Sequence, residues 1–513
     1  MKIKKIREQR EFLDMTDKKR PNILWYCTDQ QRSDTIKAFG NDEIHTPNLD
    51  RFAQRGVGFN QAYCQSPICT PSRSSMLTGR YPASTQVHRN GNAHFPESEK
   101  LVTRMLADAG YDCGLIGKLH IAGAEHTIEP RADDGYRLFE WSHHPRPNIK
   151  GNRYADWLRD EMGQDPEKLF EPLTAAYNVG LDRELHQTTW CTEMAIRFID
   201  EQRSGPWMLS INPFAPHPPM FPPAQFLDLY TPSELSCPIF KESDITHQKA
   251  FRGIDQQTLD ATDPRLPPAD NLDTADPNID SMGSAPPASY DAQLMKACYY
   301  AEITLVDEQF GRIIDHLEAT GELENTLIVF HSDHGEMLGD HGLLYKGCRF
   351  YEGLVHVPMI VTGPGIQQDL RSDALVELVD IAPTLLDAAN IEIPYYMQGT
   401  SLMPLLSGDM EIDQHKPHVF CEYHDAMAVG TVNTDGREFD ASHGTMYFDG
   451  RYKLCVYHGH DLGELYDLET DPAEFHDLWD EEMYKDLKLQ LLQKHLDAFA
   501  ATTSAGIERV KNY

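Results

Sequence analysis

The stretch Cys69-Thr70-Pro71-Ser72-Arg73, followed by Ser74-Ser75-Met76-Leu77-Thr78-Gly79-Arg80, holds the residues best suited to chemistry in this 513-residue chain. Pro71 suits the first turn of a helix, Ser72 and Ser74 can satisfy free amides, and a helix N-terminus favours an anion beside Cys69. Arg73 adds a fixed positive charge. Taken alone, a cysteine at a helix N-terminus is more often inert than catalytic, so its neighbours have to decide. Further polar residues stand where four apolar runs stop: Asp29, Lys118, His217 and the pair Asp333-His334.

The elements behind them explain why these residues should meet. Ile23–Cys27, Cys113–Ile116, Trp207–Ile211 and Thr326–Phe330 are apolar runs too short for helices, as expected of parallel strands covered on both faces. Between them lie helical patterns: one from Thr46-Pro47-Asn48 to Gly56, one from about Leu101 to Gly110, and a long one from about Tyr290 to Thr320. Strands alternating with helices predict an α/β fold, a mostly parallel sheet with helices on both faces. Ligands of such sheets bind beyond the carboxyl ends of the strands, which is the edge where all these polar residues fall. From about Tyr395 the pattern changes. Met446–Phe448, Asp449-Gly450 and Tyr452–Tyr457 predict a hairpin, Leu465–Leu468 another strand, and about Glu481 to Phe499 a final amphipathic helix with Leu487, Leu491, Leu492, Leu496 and Phe499.

Cys-X-Pro-Ser-Arg followed by small residues and Thr-Gly-Arg resembles the signature of the type I sulfatases, in which the cysteine is converted after translation to formylglycine (3-oxoalanine). The resemblance runs from about Pro21 to Leu478. It includes Pro21–Leu24 leading to Asp29, Thr46–Asp50, Gly117-Lys118-Leu119-His120, Ser332–Glu336, Gly339-Asp340-His341, Lys346, Tyr351-Glu352, and Leu465–Leu468 with Asp471-Pro472. It implies an alkaline-phosphatase-like catalytic domain over residues 21–394, with a smaller α+β subdomain over 395–513.

The resemblance also implies a cofactor and a mechanism. Asp29, Gln30, Asp333 and His334 match the family's metal positions, with the formylglycine from Cys69 as the remaining ligand; Ca2+ is the expected ion, with Mg2+ or Mn2+ as alternatives. Gln30 stands where the family often has a second Asp, which keeps an oxygen donor and removes a charge, and the imidazole of His334 is a less typical partner for Ca2+. Hydrated formylglycine would attack sulfur as a geminal diol, with Arg73 and Lys118 holding it, His217 donating the proton to the leaving group and Lys346 on the sulfate oxygens. His120 would take the second hydroxyl's proton so that sulfate is expelled and the aldehyde regenerated. A plain serine or cysteine has no second hydroxyl for this. His88 and Arg89, just past the motif, are candidates for substrate contact. The plain alternatives are solvated lysines at 118 and 346, a capped loop histidine at 217, and a structural Asp340-His341.

Composition limits the partners. With 46 Lys+Arg against 80 Asp+Glu the chain carries a formal charge of −34, which argues against nucleic acid or an acidic membrane as a general partner. The 10 cysteines are scattered and show neither a disulfide framework nor a zinc pattern. Residues 1–20 are a charged leader without the apolar core of a signal peptide, and no uncharged run is long enough to span a bilayer. The sequence as given therefore reads as cytoplasmic, or as periplasmic or secreted if a signal has been trimmed from it. Residues 255–289, rich in Pro and Asp, read as a surface insertion.

The expected reaction is hydrolysis of a sulfate monoester, of a sulfated small molecule or oligosaccharide, with a formylglycine-generating enzyme as partner during maturation. Because the overall field repels anions, recognition must rest on a local positive cluster, which favours short or end-presented sulfated sugars over a long polyanion. The competing readings are a phosphonate monoester or phosphodiester hydrolase of the same superfamily and a non-catalytic glycan-binding homologue.

Overall fold

The structure is a computed structural model describing residues 20–511 except 125–126, 146–148, 172, 174–176, 257–259, 267–289, 425–441, 505, 507 and 509. Nearly all of the charged leader and most of the 255–289 insertion lie outside the described residues. The strands are β1 (Asn22–Thr28), β2 (Val57–Phe59), β3 (Ala62–Tyr63), β4 (Asp112–Gly117), β5 (Leu138–Trp141), β6 (Trp207–Asn212) and β7 (Thr326–Ser332). They continue with β8 (Met359–Thr362), β9 (Leu370–Ser372), β10 (Val376–Glu377), β11 (Val419–His424), β12 (His443–Phe448), β13 (Tyr452–His458) and β14 (Leu462–Asp467).

Among the described residues the main sheet has eight strands in the order β5-β4-β6-β1-β7-β8-β2-β9, and only β8 runs against the rest. Strand side chains alternate between faces, and β1 shows what this does. Ile23, Trp25 and Cys27 enter a core that includes Met76 and Leu77 of the helix Cys69–Thr78 and Leu106, Leu385 and Leu386 from neighbouring helices. Leu24 and Tyr26 enter the opposite core, with Phe52, Trp190, Phe198, Phe310 and Ile313 of the helices Pro47–Ala53, Gln187–Ile199 and Ala292–Thr320. β7 divides in the same way, Leu327 and Val329 to the first core and Ile328 and Phe330 to the second. Burial of each such side chain contributes about 1.5–3 kcal/mol, so the sheet is held from both sides, as the continuous apolar runs predict.

The C-terminal sheet, β11-β12-β13-β14, is antiparallel, with the expected hairpin between β12 and β13. Its inner face (Cys421, Met446, Phe448, Cys455, Tyr457, Tyr466) joins the same core as Ile23 and Trp25. The final helix, Lys485–Ala501, packs on its outer face through Leu491, His495 and Ala498. Leu496, expected on the buried stripe, is instead 63% exposed. The buried face repeats at 491, 495 and 498, and residue 496 lies about 100° further round the helix.

Candidate active site

The register of the central strands builds the site. Thr28 pairs with Ser332, so the next residues of β1 and β7, Asp29 and Asp333, leave the sheet side by side. Gly117 pairs with Asn212 and turns the chain at φ +95°; a Cβ there would lie 2.0 Å from the Asn212 carbonyl oxygen, so only glycine fits. That turn delivers Lys118, whose Nζ donates to Asp29 Oδ2 at 2.5 Å. Arg73 Nε donates to Asp333 Oδ2 at 2.8 Å, and its Nη1 donates to the Lys118 carbonyl at 3.0 Å.

Cys69 sits in the middle of this group. Its Sγ is 3.1 Å from His334 Nε2, 2.9 Å from Lys346 Nζ, 3.6 Å from Lys118 Nζ and 3.7 Å from Asp29 Oδ1. Every residue of Cys69–Thr78 is buried. Burial and Asp29 push the thiol's pKa up, but Lys118, Lys346 and His334 more than offset them and bring it down to about 7. Burial also raises Asp29, yet Lys118, His217 and Arg73 hold its carboxyl well below the usual range. Burial pulls the pKa of Lys118 down, but Asp29, Cys69 and Asp333 together outweigh it and raise it.

Lys346 Nζ also donates to Gln30 Oε1 at 3.0 Å and to His217 Nε2 at 2.9 Å. The His217 Nδ1 faces the Pro218 carbonyl at 2.5 Å and must carry a hydrogen to donate to it, which leaves Nε2 as the acceptor. Burial, then Lys346, keeps His217 well below the usual histidine range. His120, at φ +56°, is neutral for a similar reason: burial first, then the adjacent His143 ring and Lys118. Its ring centroid lies 4.3 Å from that of His143.

The site thus gathers Asp29, Gln30, Cys69, Arg73, Lys118, His217, Asp333, His334 and Lys346, with His120 beside them. The His88 ring lies 4.1 Å from that of His424, Arg89 is exposed, and Asn90 of the same segment reaches the start of the motif helix. One local expectation changes. The N-cap of the motif helix is Ile68, so Ser72 and Ser74 lie inside the helix and cannot reach back to its free amides. Ser72 Oγ donates instead to the Asp333 carbonyl at 2.5 Å, and the Thr70 amide is capped by Asn90 Oδ1 at 2.9 Å.

Several supporting residues gave no sign of their duty in the sequence. Glu336 accepts from Gln30 Nε2 and from the Leu338 and Tyr345 amides, so it turns the Gln30 oxygen toward Lys346. Glu129 accepts from the amides of His120, Ile121 and Ala122 at 2.7, 2.8 and 3.1 Å and from Trp141 Nε1 at 2.9 Å. Its carboxylate therefore fixes the left-handed turn that presents His120. Glu129→Ala strands those amides in a buried site, and we expect a loss of about 2–4 kcal/mol with a fall in kcat larger than any change in KM. Thermal denaturation and steady-state kinetics check both; an unchanged kcat would remove His120 positioning from the role of Glu129.

The residues fit a divalent cation. Ligand atoms of Asp29, Cys69, Asp333 and His334 lie within 4.8 Å of one another, all buried. Asp29 and Asp333 supply carboxylate oxygens and Gln30 an amide oxygen, donors that suit a hard ion, while His334 and the Cys69 sulfur are softer.

Comparison with known proteins agrees with this geometry. The sulfatase family matches residues 21–391, and a second family, the N-sulphoglucosamine sulphohydrolase C-terminal region, matches residues 339–501. The choline-sulfatase of Rhizobium meliloti is 29% identical over 487 residues, covering 90% of this chain and 82% of the relative. The N-acetylglucosamine-6-O-sulfatase of Bacteroides thetaiotaomicron is 28% identical, covering 93% and 85%. The solved phosphonate monoester hydrolase of Agrobacterium radiobacter superposes with a TM-score of 0.76 at 25% identity, covering 94% and 96%. The first family match runs from β1 past the loop of Lys346 and so takes in every residue gathered around Cys69; the chain belongs to the sulfatase family, sulfuric ester hydrolases of alkaline-phosphatase-like fold.

Proposed function

We propose that this protein hydrolyses sulfate monoesters of small sulfated molecules, foremost sulfated carbohydrates, with Cys69 converted to formylglycine and a divalent ion, Ca2+ or alternatively Mg2+ or Mn2+, held by Asp29, Gln30, Asp333 and His334. The observation that carries the proposal is the placement of Cys69, which lies at the start of a buried helix within 4 Å of two lysines, a histidine and an aspartate. A hydrated formylglycine supplies a hydroxyl nucleophile, and a bound divalent ion supplies the charge that makes such a hydroxyl acidic. Lys118 and Arg73 hold the nucleophilic side and the carboxylates in register. Lys346 Nζ binds a sulfate oxygen and faces the lone pair of His217 Nε2, so the pair can pass a proton to the departing ester oxygen. His120, kept neutral by burial and His143, is the base.

The similarity to N-acetylglucosamine-6-O-sulfatase supports a sugar sulfate as substrate, and the choline-sulfatase relative supports a small ester. A second reading, phosphonate monoester or phosphodiester hydrolysis, is favoured by the structural likeness to the phosphonate monoester hydrolase. Turnover of an aryl sulfate, a phosphate diester and a phosphonate monoester on the same converted preparation decides between them. We expect kcat/KM for the sulfate to lead by about tenfold or more, a difference of about 1.4 kcal/mol in transition-state binding; a lead for either phosphorus ester would overturn the assignment. Chelation should abolish turnover and Ca2+ should restore it, with Mg2+ and Mn2+ as the comparison arms.

A further inference from the structure

A second cluster of metal-ligating side chains lies on the outer face of the C-terminal sheet. Side chains two apart on a strand share a face, so Glu422 and His424 of β11 point the same way. His424 pairs across the ladder with His443 of β12, and His443 pairs with His458 of β13. The strand register thus lines up three imidazoles and a carboxylate beneath the final helix. The rings of His424 and His443 stack with centroids 4.0 Å apart, and His88 approaches His424 from the segment after the motif helix, at 4.1 Å.

Three observations mark the cluster as a metal site. Ligand atoms of Glu422, His424 and His443 lie within 4.8 Å of one another. Glu422 Oε2 and His424 Nε2 are 3.2 Å apart, close to the ligand–ligand separation of about 3.3 Å that a tetrahedral Zn2+ site requires. His88 Nδ1 and His443 Nε2 are buried without a hydrogen-bond partner among the described residues. The surroundings also suit neutral ligands. His458 and His495 share the Thr445 hydroxyl through their Nε2 atoms, at 2.7 and 2.8 Å, and form an outer ring to the group. Burial, then the neighbouring imidazoles, hold His88 near pKa 4 and His443 near 3. Imidazole nitrogens are the ordinary donors to a first-row transition-metal ion.

We infer that Glu422, His424 and His443, with His88 in reach of the fourth position, form a second metal site that takes Zn2+ or a similar first-row ion and is separate from the hard-ion site around Asp29 and Asp333. A metal there would tie the segment of His88 to the C-terminal sheet. Two residues further on, that same segment carries Asn90, which caps the start of the motif helix. The site therefore connects the final sheet to the Thr70 amide, next to Cys69, without touching the reacting atoms.

The test uses the full-length protein, stripped with chelator and refilled with excess Ca2+ to saturate the first site, then titrated with Zn2+ and assayed for bound metal. A Cys69→Ala background removes the one soft ligand of the first site. We expect one equivalent of Zn2+ to bind in both backgrounds in the presence of Ca2+ and to raise the melting temperature. His443→Asn and, separately, His424→Asn should weaken Zn2+ binding by at least about the 10–100-fold seen when even an outer-shell partner of a metal ligand is lost. Both variants should keep the wild-type melting temperature in chelator, which shows that they fold. Zn2+ uptake that Ca2+ abolishes, or uptake equal in wild type and both variants, would overturn the inference.

Discussion

Replacing Cys69 by alanine is expected to lower kcat for sulfate-ester hydrolysis by about 10^4-fold or more, the scale seen when a covalent nucleophile is removed from a preorganised site. The fold should hardly notice. Cys69 Sγ makes its contacts with Lys346, Lys118 and His334, and those side chains keep other partners: Gln30 and His217 for Lys346, Asp29 for Lys118, and the Gly335 carbonyl for His334 Nδ1. The loss of stability should stay near 1 kcal/mol, and substrate affinity should survive because Lys346 and Lys118 remain. The useful measurement is therefore a pair, single-turnover rate and equilibrium binding of a sulfate ester by the same variant. Activity within about tenfold of wild type would remove Cys69 from the chemistry. A fully converted wild-type protein, verified by the mass of the peptide holding residue 69, is the reference. Unconverted protein is a third state, since its thiol near pKa 7 is partly thiolate yet has no second hydroxyl with which to expel sulfate.

The second large effect concerns stability. Lys453 on β13 is fully buried, forms an ion pair with Glu352 Oε1 at 2.6 Å, and donates to Glu474 Oε1 at 2.7 Å and the Phe350 carbonyl at 3.0 Å. It is the counter-ion of two carboxylates at the seam between the C-terminal sheet and the loop that follows Lys346. Burial raises the pKa of Glu352, but Lys453 and His356 outweigh it and hold the group below its ordinary value. Lys453→Met preserves the stem and removes the charge, so both carboxylates are left facing each other. We expect a loss of about 3–5 kcal/mol, the usual result of breaking a buried pair from one side. The pH dependence should also reverse. In the wild type the Glu352 contribution is present above its unfolded value and fades as pH falls through its depressed folded value. In the variant the folded carboxylates bind protons more readily than the unfolded chain, so stability should rise as pH is lowered from 7 toward 5. A second change, Glu474→Gln, should recover part of the loss. Chemical denaturation across that pH range tests all three statements, and a variant as stable as wild type at pH 7 would refute the pairing.

The sequence disclosed the central strands because β1, β4, β6 and β7 are buried on both faces and read as unbroken apolar runs. It did not disclose β2, β5 or β9. They are short edge or near-edge strands, and Leu138-Phe139-Glu140-Trp141 carries too little pattern to separate from a loop. The same contrast governs the site. Asp29, Lys118, Asp333 and His334 follow strand ends, where fold geometry forces polar residues together. Lys346 leaves a loop with no such signal, and only the family resemblance pointed to it. Glu129 and Asn90 serve backbone amides 7 to 20 residues away in sequence, and such a duty leaves no residue-type signature. The stripe of Glu422, His424 and His443 became visible only once the register between β11 and β12 was known.

The complete burial of Cys69–Thr78 has a consequence for the order of events in the cell. On the proposed conversion of Cys69, a modifying enzyme would have no grip on a helix packed against the core of the sheet, and the conversion would have to win a race against folding. Once the chain has closed, an unconverted molecule is kinetically trapped in that state, as stable as its active counterpart and unable to be repaired without unfolding. The active fraction of a preparation is then set by partitioning during synthesis: faster folding or scarcer modifying enzyme lowers it, while variants that delay packing of the motif helix raise it.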